Sequence, residues 1–370
     1  MKKPNKVKRY SNIYNQKRRR RKAIINILLG VASFAIIAGL VFLLATAIFG
    51  GSDNGSSNVT PSEPIAESSE IVSEENSKKQ PDNTSQTVVV AKELPVSLVG
   101  SPTKISEFAA TAKNEGYNAI VVPMKTQSGE ILYNSKVAEA TSWGAISSST
   151  TDATAVINAI TSQRLTPIAE LYAFEDDIAS HAKRGNSYYY GTQTTTTRLF
   201  GSGKGISWLN PYQASARKYI CDLSKELYDM GFKGIWLNGV QFPTQGLDAN
   251  AGTNANGRTQ EEILKTFISE MEELSIPFVI SYEWDSVGGG ANAQTLYGGD
   301  PTTYGAPGLS PILDSSAASS TQQLEDSLAQ TKSQTSGAVI IPSVPASANL
   351  EYVKSVLNQA DIKSYILLSE

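Results

Sequence analysis

The chain has 370 residues, with 32 basic and 35 acidic side chains and a formal net charge of −3 at pH 7. Its one cysteine, Cys221, excludes an internal disulfide framework. Its one histidine, His181, excludes His-rich metal sites and any His-based triad that does not use it. Eleven basic residues lie in the first 22 positions, so the rest of the chain has 21 basic against 35 acidic residues, or −14. This acidic remainder argues against a nucleic-acid partner.

The N-terminal segment predicts a membrane anchor. Residues 1–22 are basic and contain no acid, and Ala23–Phe49 is almost wholly apolar. A helix of about 20 apolar residues crosses a bilayer, and a basic flank stays on the cytoplasmic side. We therefore expect a cytoplasmic tail over 1–22 and a transmembrane helix over 23–49, with the rest of the chain extracytoplasmic. The alternative is a signal peptide cleaved near Ala47, which the length of the apolar run disfavours.

Residues 50–88 have the composition of a linker. They are rich in Ser, Asn, Glu and Gly, with few apolar side chains and no periodicity. Such a segment cannot bury enough surface to offset its ordering entropy, so we expect it to be disordered. A flexible coil of this length spans on the order of 35 Å, which suits a tether that reaches into a cell wall.

Short apolar runs alternate with helical periodicity over residues 89–370. The predicted strands are Leu94–Val99, Ala119–Met124, Thr166–Phe174, Gly234–Val240, Pro277–Tyr282, Leu309–Leu313, Ala338–Ile341 and Tyr365–Leu368. The predicted helices are Ile105–Glu115, Asp152–Gln163, Pro211–Met230, Glu261–Leu274, Thr321–Ser333 and Leu350–Asn358. Alternation of strands and helices implies a parallel sheet, and eight strands imply closure. The predicted fold class is therefore α/β, a (β/α)8 TIM barrel over 89–370.

Several motifs in this region carry a family resemblance. They are Asn118–Lys125 followed by Ser128-Gly129 and Tyr133, Tyr172–Asp176, Trp208–Tyr212 and Gly231–Pro243. Together they are similar to the putative glycosyl hydrolase domain family, a (β/α)8 group that resembles the α-amylase-like glycosidases. The resemblance covers about Val89–Glu370 and is strongest over Asn210–Pro243.

Three functional positions of the family pattern differ in this chain. Pro123 replaces the acid of strand two, Asn238 replaces the expected nucleophile of strand four, and Gln241 replaces the arginine that follows it. Glycoside hydrolysis normally uses two carboxyl groups across the scissile bond. An amide at position 238 cannot form the usual covalent intermediate, although it can hydrogen-bond sugar hydroxyls. The resemblance therefore implies a sugar site whose chemistry is reduced.

Other residues acquire expected roles from the resemblance and from their position at strand ends. Glu283, just past the fifth predicted strand, matches the general-acid position and is the candidate acid. The expected substrate-binding residues are Lys125, Tyr133, Glu170, Trp208, Asn210, Tyr212, Gln241, Trp284 and Asp285. The aromatic members could stack on sugar rings or simply pack loops against the barrel. We expect no cofactor or metal, because neither the Gly201–Gly205 nor the Asp248–Gly257 stretch has the required ligand spacing.

Three functions remain open from the sequence. The first is a membrane-anchored extracytoplasmic barrel that binds cell-envelope carbohydrate, such as cell-wall polysaccharide, with weak or no hydrolysis. The second is an active glycoside hydrolase that uses Glu283 with a rearranged second carboxylate. The third is a non-catalytic scaffold for envelope proteins. The sequence leaves the substrate, linkage and oligomeric state undetermined.

Overall fold

The computed structural model describes residues 88–189, 205–243, 257–314, 321–335 and 337–369. Its strands are β1 (Val90–Glu93), β2 (Ala119–Lys125), β3 (Ile131–Tyr133), β4 (Ile146–Thr151), β5 (Thr166–Tyr172), β6 (Ile235–Asn238), β7 (Phe278–Glu283), β8 (Gly308–Ile312), β9 (Val339–Ile340), β10 (Ser343–Val344) and β11 (Tyr365–Leu367). Its α-helices are α1 (Pro102–Asn114), α2 (Ala138–Ser142), α3 (Ala153–Thr161), α4 (Asp177–Ala182), α5 (Ala214–Met230), α6 (Gln260–Glu272), α7 (Ala291–Leu296), α8 (Thr321–Gln334) and α9 (Leu350–Gln359).

Eight parallel strands close into a barrel. Their order around the ring is β1, β2, β5, β6, β7, β8, β10 and β11, and β1 pairs with both β2 and β11. Val90 lies beside Tyr365 on one edge of β1, while Ala91 lies beside Ala119 on the other. Closure leaves no exposed edge within the ring. The predicted (β/α)8 barrel is confirmed.

The first predicted strand, Leu94–Val99, is wrong. The chain turns there, because Pro95 has no N–H to donate to a neighbouring strand. The N–H groups of Leu98 and Val99 instead bond back to the carbonyls of Pro95 and Val96, which gives a 3-10 turn over Val96–Leu98. The true strand is β1, immediately upstream.

The seventh barrel strand consists of two short pieces. The predicted strand Ala338–Ile341 corresponds to β9, which pairs with β8 off the main ring, and β10 completes the ring two residues later. Pro342 lies between the two pieces and has no N–H for the ladder. Its carbonyl still accepts a hydrogen bond from the N–H of Ile366. The sequence analysis also missed β3, which pairs antiparallel with β2, and β4, which pairs parallel with β3.

The helices begin where local capping chemistry allows. Helix α1 starts after Ser101, whose hydroxyl accepts from the N–H of Lys104, and Pro102 occupies its first turn. Asp152 caps α3 instead of lying within it, so the predicted start at 152 is one residue early. Thr259 and Glu262 form a reciprocal capping box at the start of α6.

Side chains inside the barrel change from apolar to polar along the strands. The buried cluster in the interior consists of Ala91, Ala119, Val121, Trp236, Ile341 and Ile366. Alternate residues on a strand face the same side, so the next inward positions lie two residues further along. On three strands these positions are Glu93, Glu170 and Asn238. The barrel therefore has an apolar lower half and a polar upper end.

Within residues 88–369, in the ranges given above, no helix combines the length and apolarity needed to cross a membrane. The basic tail over 1–22, the predicted transmembrane helix over 23–49 and nearly all of the linker over 50–88 lie outside the described residues.

Candidate functional site

A cavity opens at the C-terminal ends of the barrel strands. Its volume is about 390 Å³, within the range of small-molecule sites. Its lining includes Glu93, Gln127, Glu170, Tyr172, Glu175, Trp236, Asn238, Gln241, Glu283, Ile312, Ser343 and Ser369. This end of a (β/α)8 barrel is where catalytic and binding residues of the fold gather. Four of the sequence-predicted site residues, Glu170, Asn238, Gln241 and Glu283, meet in this cavity.

Glu93 and Glu170 form a carboxyl pair in the cavity wall. Burial and the adjacent Glu93 carboxylate, which is hydrogen-bonded to Glu170, raise the pKa of Glu170 well above its usual range. Glu170 Oε1 also accepts from Asn238 Nδ2 at 2.6 Å. Glu93 Oε2 accepts from the backbone N–H of Ser369 at 2.8 Å and from its hydroxyl at 3.2 Å. Glu170 therefore keeps its proton to a higher pH than an exposed glutamate does.

Glu283 lies across the cavity at the end of β7. Burial raises the pKa of its carboxyl, and the negative charges of Asp285 and Asp314 add to the effect. Its backbone N–H donates to the Tyr297 hydroxyl at 3.0 Å, and that hydroxyl donates to Gln241 Oε1 at 3.2 Å. Tyr297 thus fixes both residues of the wall relative to each other.

Two polar atoms of cavity-lining residues have no hydrogen-bond partner among the described residues. They are Asn238 Oδ1 and Trp236 Nε1, and both side chains are buried, with 6% and 3% of their surface exposed. A buried polar atom without a partner is costly, so such atoms commonly meet a water or a ligand. Asn238 therefore has a buried acceptor, and Trp236 a buried donor, without a partner among the described residues.

Lys125 does not line the cavity. Its side chain is fully buried, with Nζ 2.9 Å from Asp176 Oδ2 and donating to the Tyr172 carbonyl at 2.7 Å. Asp176 in turn caps α4 by accepting from the N–H of Ala179 at 2.8 Å. Lys125, expected to bind substrate, therefore has its charge satisfied within the protein and lies outside the cavity lining.

Tyr133 also lies away from the cavity. Its hydroxyl donates to Glu226 Oε2 at 2.9 Å, and the backbone N–H of Lys136 donates to Glu226 Oε1 at 2.6 Å. Glu226 belongs to α5, so this cluster attaches the β3 loop to the helix. The structure therefore places Tyr133, which was expected to bind substrate, in a contact between the β3 loop and α5.

The Trp208–Tyr212 motif builds the start of α5 and is not part of the cavity wall. Asn210 accepts from the backbone N–H of Tyr212 at 3.0 Å, and its own N–H donates to the Asn186 carbonyl at 2.7 Å. Trp208 is 4% exposed and pairs as a bridge with Glu175. The Tyr212 ring packs 5.5 Å from Phe242. None of these three residues, expected to bind substrate, is part of the cavity lining.

Trp284 and Asp285 line a separate, open cavity beside α8, with a volume of about 510 Å³. The Trp284 ring is 8% exposed, and its Nε1 donates to Asp314 Oδ1 at 3.2 Å. Asp285 accepts from Asn292 Nδ2 at 3.4 Å. The structure does not bring these two residues into the cavity that holds Glu170, Asn238 and Glu283.

Residues 94–282, about half of the chain, match the putative glycosyl hydrolase domain family. The chain belongs to this family. The match ends one residue before Glu283 and begins one residue after Glu93, so two of the cavity's carboxyl groups flank the matched segment. No curated protein sequence matched the chain.

Solved structures with similar folds were found for this family member. A hypothetical protein from Ruminiclostridium thermocellum is 22% identical, with 51% of this chain and 95% of that chain covered and a TM-score of 0.45. An inactive mutant of an exo-β-N-acetylglucosaminidase from Vibrio harveyi, of glycoside hydrolase family 20, is 10% identical, with 76% and 50% covered and a TM-score of 0.52. The galactosidase domain of an α-galactosidase–sucrose kinase is 12% identical, with 77% and 38% covered and a TM-score of 0.50. The chain spans half or less of the last two, and the likeness concerns the fold.

Among the acids and amides that line the cavity of this family member, the sequence analysis missed Glu93, Gln127 and Glu175. Glu93 was hidden because the first strand was placed too late, and a strand ending at 93 would have marked it as a strand-end acid. Glu175 and Gln127 lie on loops, and Gln127 Nε2 donates to Glu175 Oε2. Only their proximity in the folded chain reveals them.

Proposed function

We propose that this chain is a single-pass membrane protein whose extracytoplasmic barrel binds cell-envelope carbohydrate, with weak or no hydrolysis. The basic segment over 1–22 and the apolar run over 23–49 support the cytoplasmic N-terminus and the span. The linker over 50–88 gives the barrel, residues 89–370, reach into the envelope. Cell-wall polysaccharide is the abundant ligand there.

One observation carries the binding role: a cavity at the C-terminal barrel end collects carboxyl, amide and hydroxyl groups around Asn238. Sugar hydroxyls both donate and accept hydrogen bonds, which such a mixed lining matches. Asn238 occupies the position where the family pattern has a nucleophile, and its Nδ2 is already bonded to Glu170. A neutral amide cannot attack a glycosidic carbon in the usual way, so binding without efficient turnover is the function that this site supports best.

The test is binding of soluble peptidoglycan and wall-polysaccharide fragments to the full chain in detergent, with release of reducing sugar measured in parallel. We expect saturable binding and little or no sugar release. Absence of binding to every fragment would contradict the proposal. Rapid release of reducing ends would contradict its non-catalytic part.

A second candidate is an active glycoside hydrolase with Glu283 as acid and Glu170 as the second carboxyl group. It is favoured by the presence of both groups in one cavity and by the raised pKa of Glu283, since a general acid must hold a proton near neutral pH. Two carboxyl groups about 5–10 Å apart can act across a glycosidic bond.

Asn238→Asp separates the two candidates. A non-catalytic barrel should gain hydrolysis when a carboxylate returns to this position, whereas an enzyme that uses Glu170 should be unaffected or slowed. In the enzyme, Glu283→Gln should reduce sugar release by about 100-fold or more. Because Asn238-Gly239 is a sequence prone to deamidation, mass spectrometry must first show that position 238 is still Asn.

The membrane arrangement can be tested by thiol labelling of intact cells. Ser57→Cys in the linker should react with a membrane-impermeant maleimide, and Ser11→Cys should react only after permeabilisation. The unmodified chain is the matched control, because Cys221 is buried and burial raises the pKa of its thiol to about 12. Labelling of Ser11→Cys in intact cells would contradict the proposed orientation.

A further inference from the structure

Glu93 and Glu170 lie side by side in the cavity wall but differ in exposure. Glu170 is 3% exposed, whereas Glu93 is half-buried, and both line the cavity. The two side chains are hydrogen-bonded to each other. An ionised carboxyl group is an acceptor only, so a hydrogen bond between two carboxyl groups requires a proton on one of them. One of the two residues is therefore a neutral acid and the other a carboxylate.

The hydrogen-bond donors around the pair assign the proton. Glu93 Oε2 accepts from the backbone N–H of Ser369 at 2.8 Å and from its hydroxyl at 3.2 Å. Among the described residues Glu170 has one donor besides its partner, Asn238 Nδ2, at 2.6 Å from its Oε1. Donors stabilise the charged form of a carboxyl group, and burial destabilises it. The half-buried Glu93 is therefore the carboxylate, and the buried Glu170 is the acid that donates to it.

Glu93 keeps the capacity to accept one more hydrogen bond. An ionised carboxyl group has about four lone-pair sites. The N–H and hydroxyl of Ser369 and the proton of Glu170 occupy three of them. No other donor reaches Glu93 within the part of the chain that the structure describes, and its side chain borders the cavity. The remaining site is therefore open to a donor from a ligand.

Glu93 also faces the second free wall of the cavity. Its strand β1 and the strand of Glu283, β7, are the first and fifth of the eight ring strands, so they lie on opposite sides of the barrel. Both side chains line the cavity and are half-buried. A ligand between β1 and β7 can therefore contact both residues.

We propose that Glu93 is the carboxylate with which the cavity binds its carbohydrate ligand, by accepting a ligand hydroxyl, and that Glu170 is a protonated positioning residue that acts through Glu93. A hydrogen bond from a hydroxyl to a carboxylate is charge-assisted and stronger than one to a neutral acceptor. Glu170 fixes the Glu93 carboxylate from one side while Ser369 fixes it from the other. This inference rests on the proposed carbohydrate-binding function and names the residue that anchors the ligand.

The test compares the same chemical change at two neighbouring positions. Soluble peptidoglycan and wall-polysaccharide fragments are titrated calorimetrically into the full chain in detergent, and the fragment that binds the parent most tightly is then titrated into each variant. Glu93→Gln removes the charged acceptor, so binding should weaken by about tenfold or more. Glu170→Gln replaces an O–H donor by an N–H donor beside an intact Glu93, so binding should weaken by a clearly smaller factor.

Glu170→Met tests the positioning role. A Met side chain is of similar length but donates no hydrogen bond to Glu93. It should therefore weaken binding more than Glu170→Gln does, so that the amide restores part of what Met removes. The matched control for all three variants is Glu107→Gln, at an exposed position on α1, which should bind as the parent does. Thermal melting shows which variants fold, and if Glu93→Gln does not, the two variants of Glu170 decide.

The outcomes separate this inference from the function on which it rests. If Glu170→Gln weakens binding as much as Glu93→Gln, or more, the assignment of the carboxylate to Glu93 is overturned and carbohydrate binding stands. Equal affinities of folded Glu170→Gln and Glu170→Met would overturn the positioning role. Failure of every fragment to bind the parent chain would overturn the proposed function as well.

Discussion

The Lys125–Asp176 pair and the Glu93–Glu170 pair lie at the same end of the barrel but differ in how their charge is balanced. Lys125 and Asp176 are both fully buried and neutralise each other at 2.9 Å. Glu93 and Glu170 are both carboxyl groups, and the pKa of Glu170 is raised by burial and by Glu93. An ion pair inside the chain stabilises the fold, whereas a carboxyl group whose pKa is raised in a cavity is typical of a functional site. Position at a strand end does not by itself distinguish the two.

Loss of the Lys125 cation should give the largest effect. Lys125→Met leaves the Asp176 carboxylate buried without its partner, which should lower the free energy of unfolding by about 3–5 kcal/mol. Urea unfolding at pH 7 measures the loss. The double variant Lys125→Met with Asp176→Asn should lose less than the sum of the single changes, since Asn still caps α4. A loss below about 1 kcal/mol in Lys125→Met would show that the ion pair contributes little to the stability of the fold.

An intermediate effect is expected at Gly129, which packs against Asp176. Gly129 has φ +97, and an added Cβ would lie 2.0 Å from Asp176 Oδ1. Gly129→Ala should therefore cost about 1–3 kcal/mol and displace the carboxylate from Lys125. Gly144 is the matched control, because it has φ +68 but a Cβ added there would meet nothing within 4 Å. Equal losses of stability in the two variants would mean that only backbone strain matters.

The smallest effect should have the opposite sign. The pKa of Glu170 is raised in the folded state. The free energy of unfolding therefore falls as the pH rises above the pKa of a glutamate in the unfolded chain, about 4.3. Glu170→Gln removes this charge and keeps an oxygen that can accept from Asn238. At pH 8, each kcal/mol gained in the free energy of unfolding should raise the Tm of the variant above that of the parent by about 2–4 °C. The gain should vanish toward pH 4. A gain that is independent of pH would contradict the carboxyl-pair description, with Glu107→Gln as the control.

Much of the fold could be predicted from the sequence because the barrel strands are short apolar runs between amphipathic helices. The α5 helix shows this pattern, with Ile220, Leu223 and Leu227 buried on one face. The start of the barrel could not be predicted in the same way. Val90–Glu93 is too short and too polar to be recognised as a strand from its hydrophobic pattern. It becomes part of the barrel only by pairing with strands that lie 28 and 275 residues away in the sequence.

The site could be predicted only in part, for a different reason. Glu170, Asn238, Gln241 and Glu283 follow buried strands, and parallel strands bring their ends together. Lys125, Tyr133 and Asn210 match the same family motifs, yet their side chains bond to Asp176, Glu226 and the start of α5. A motif indicates that a residue belongs to the fold family, but the direction and partners of its side chain appear only in three dimensions.

The closure of the barrel between β1 and β11 has a consequence for how the domain forms. The N–H of Val89 bonds to the hydroxyl of Ser364, and Ser369 bonds to Glu93, so groups 275 and 276 residues apart meet at the seam. Contacts of such separation form late and slow folding, because a long loop must be ordered first. In a chain emerging from a ribosome or a translocation pore, the edge of β1 that pairs with β11 stays unpaired until this last strand arrives. The Glu93 side of the cavity is then assembled only at the final step.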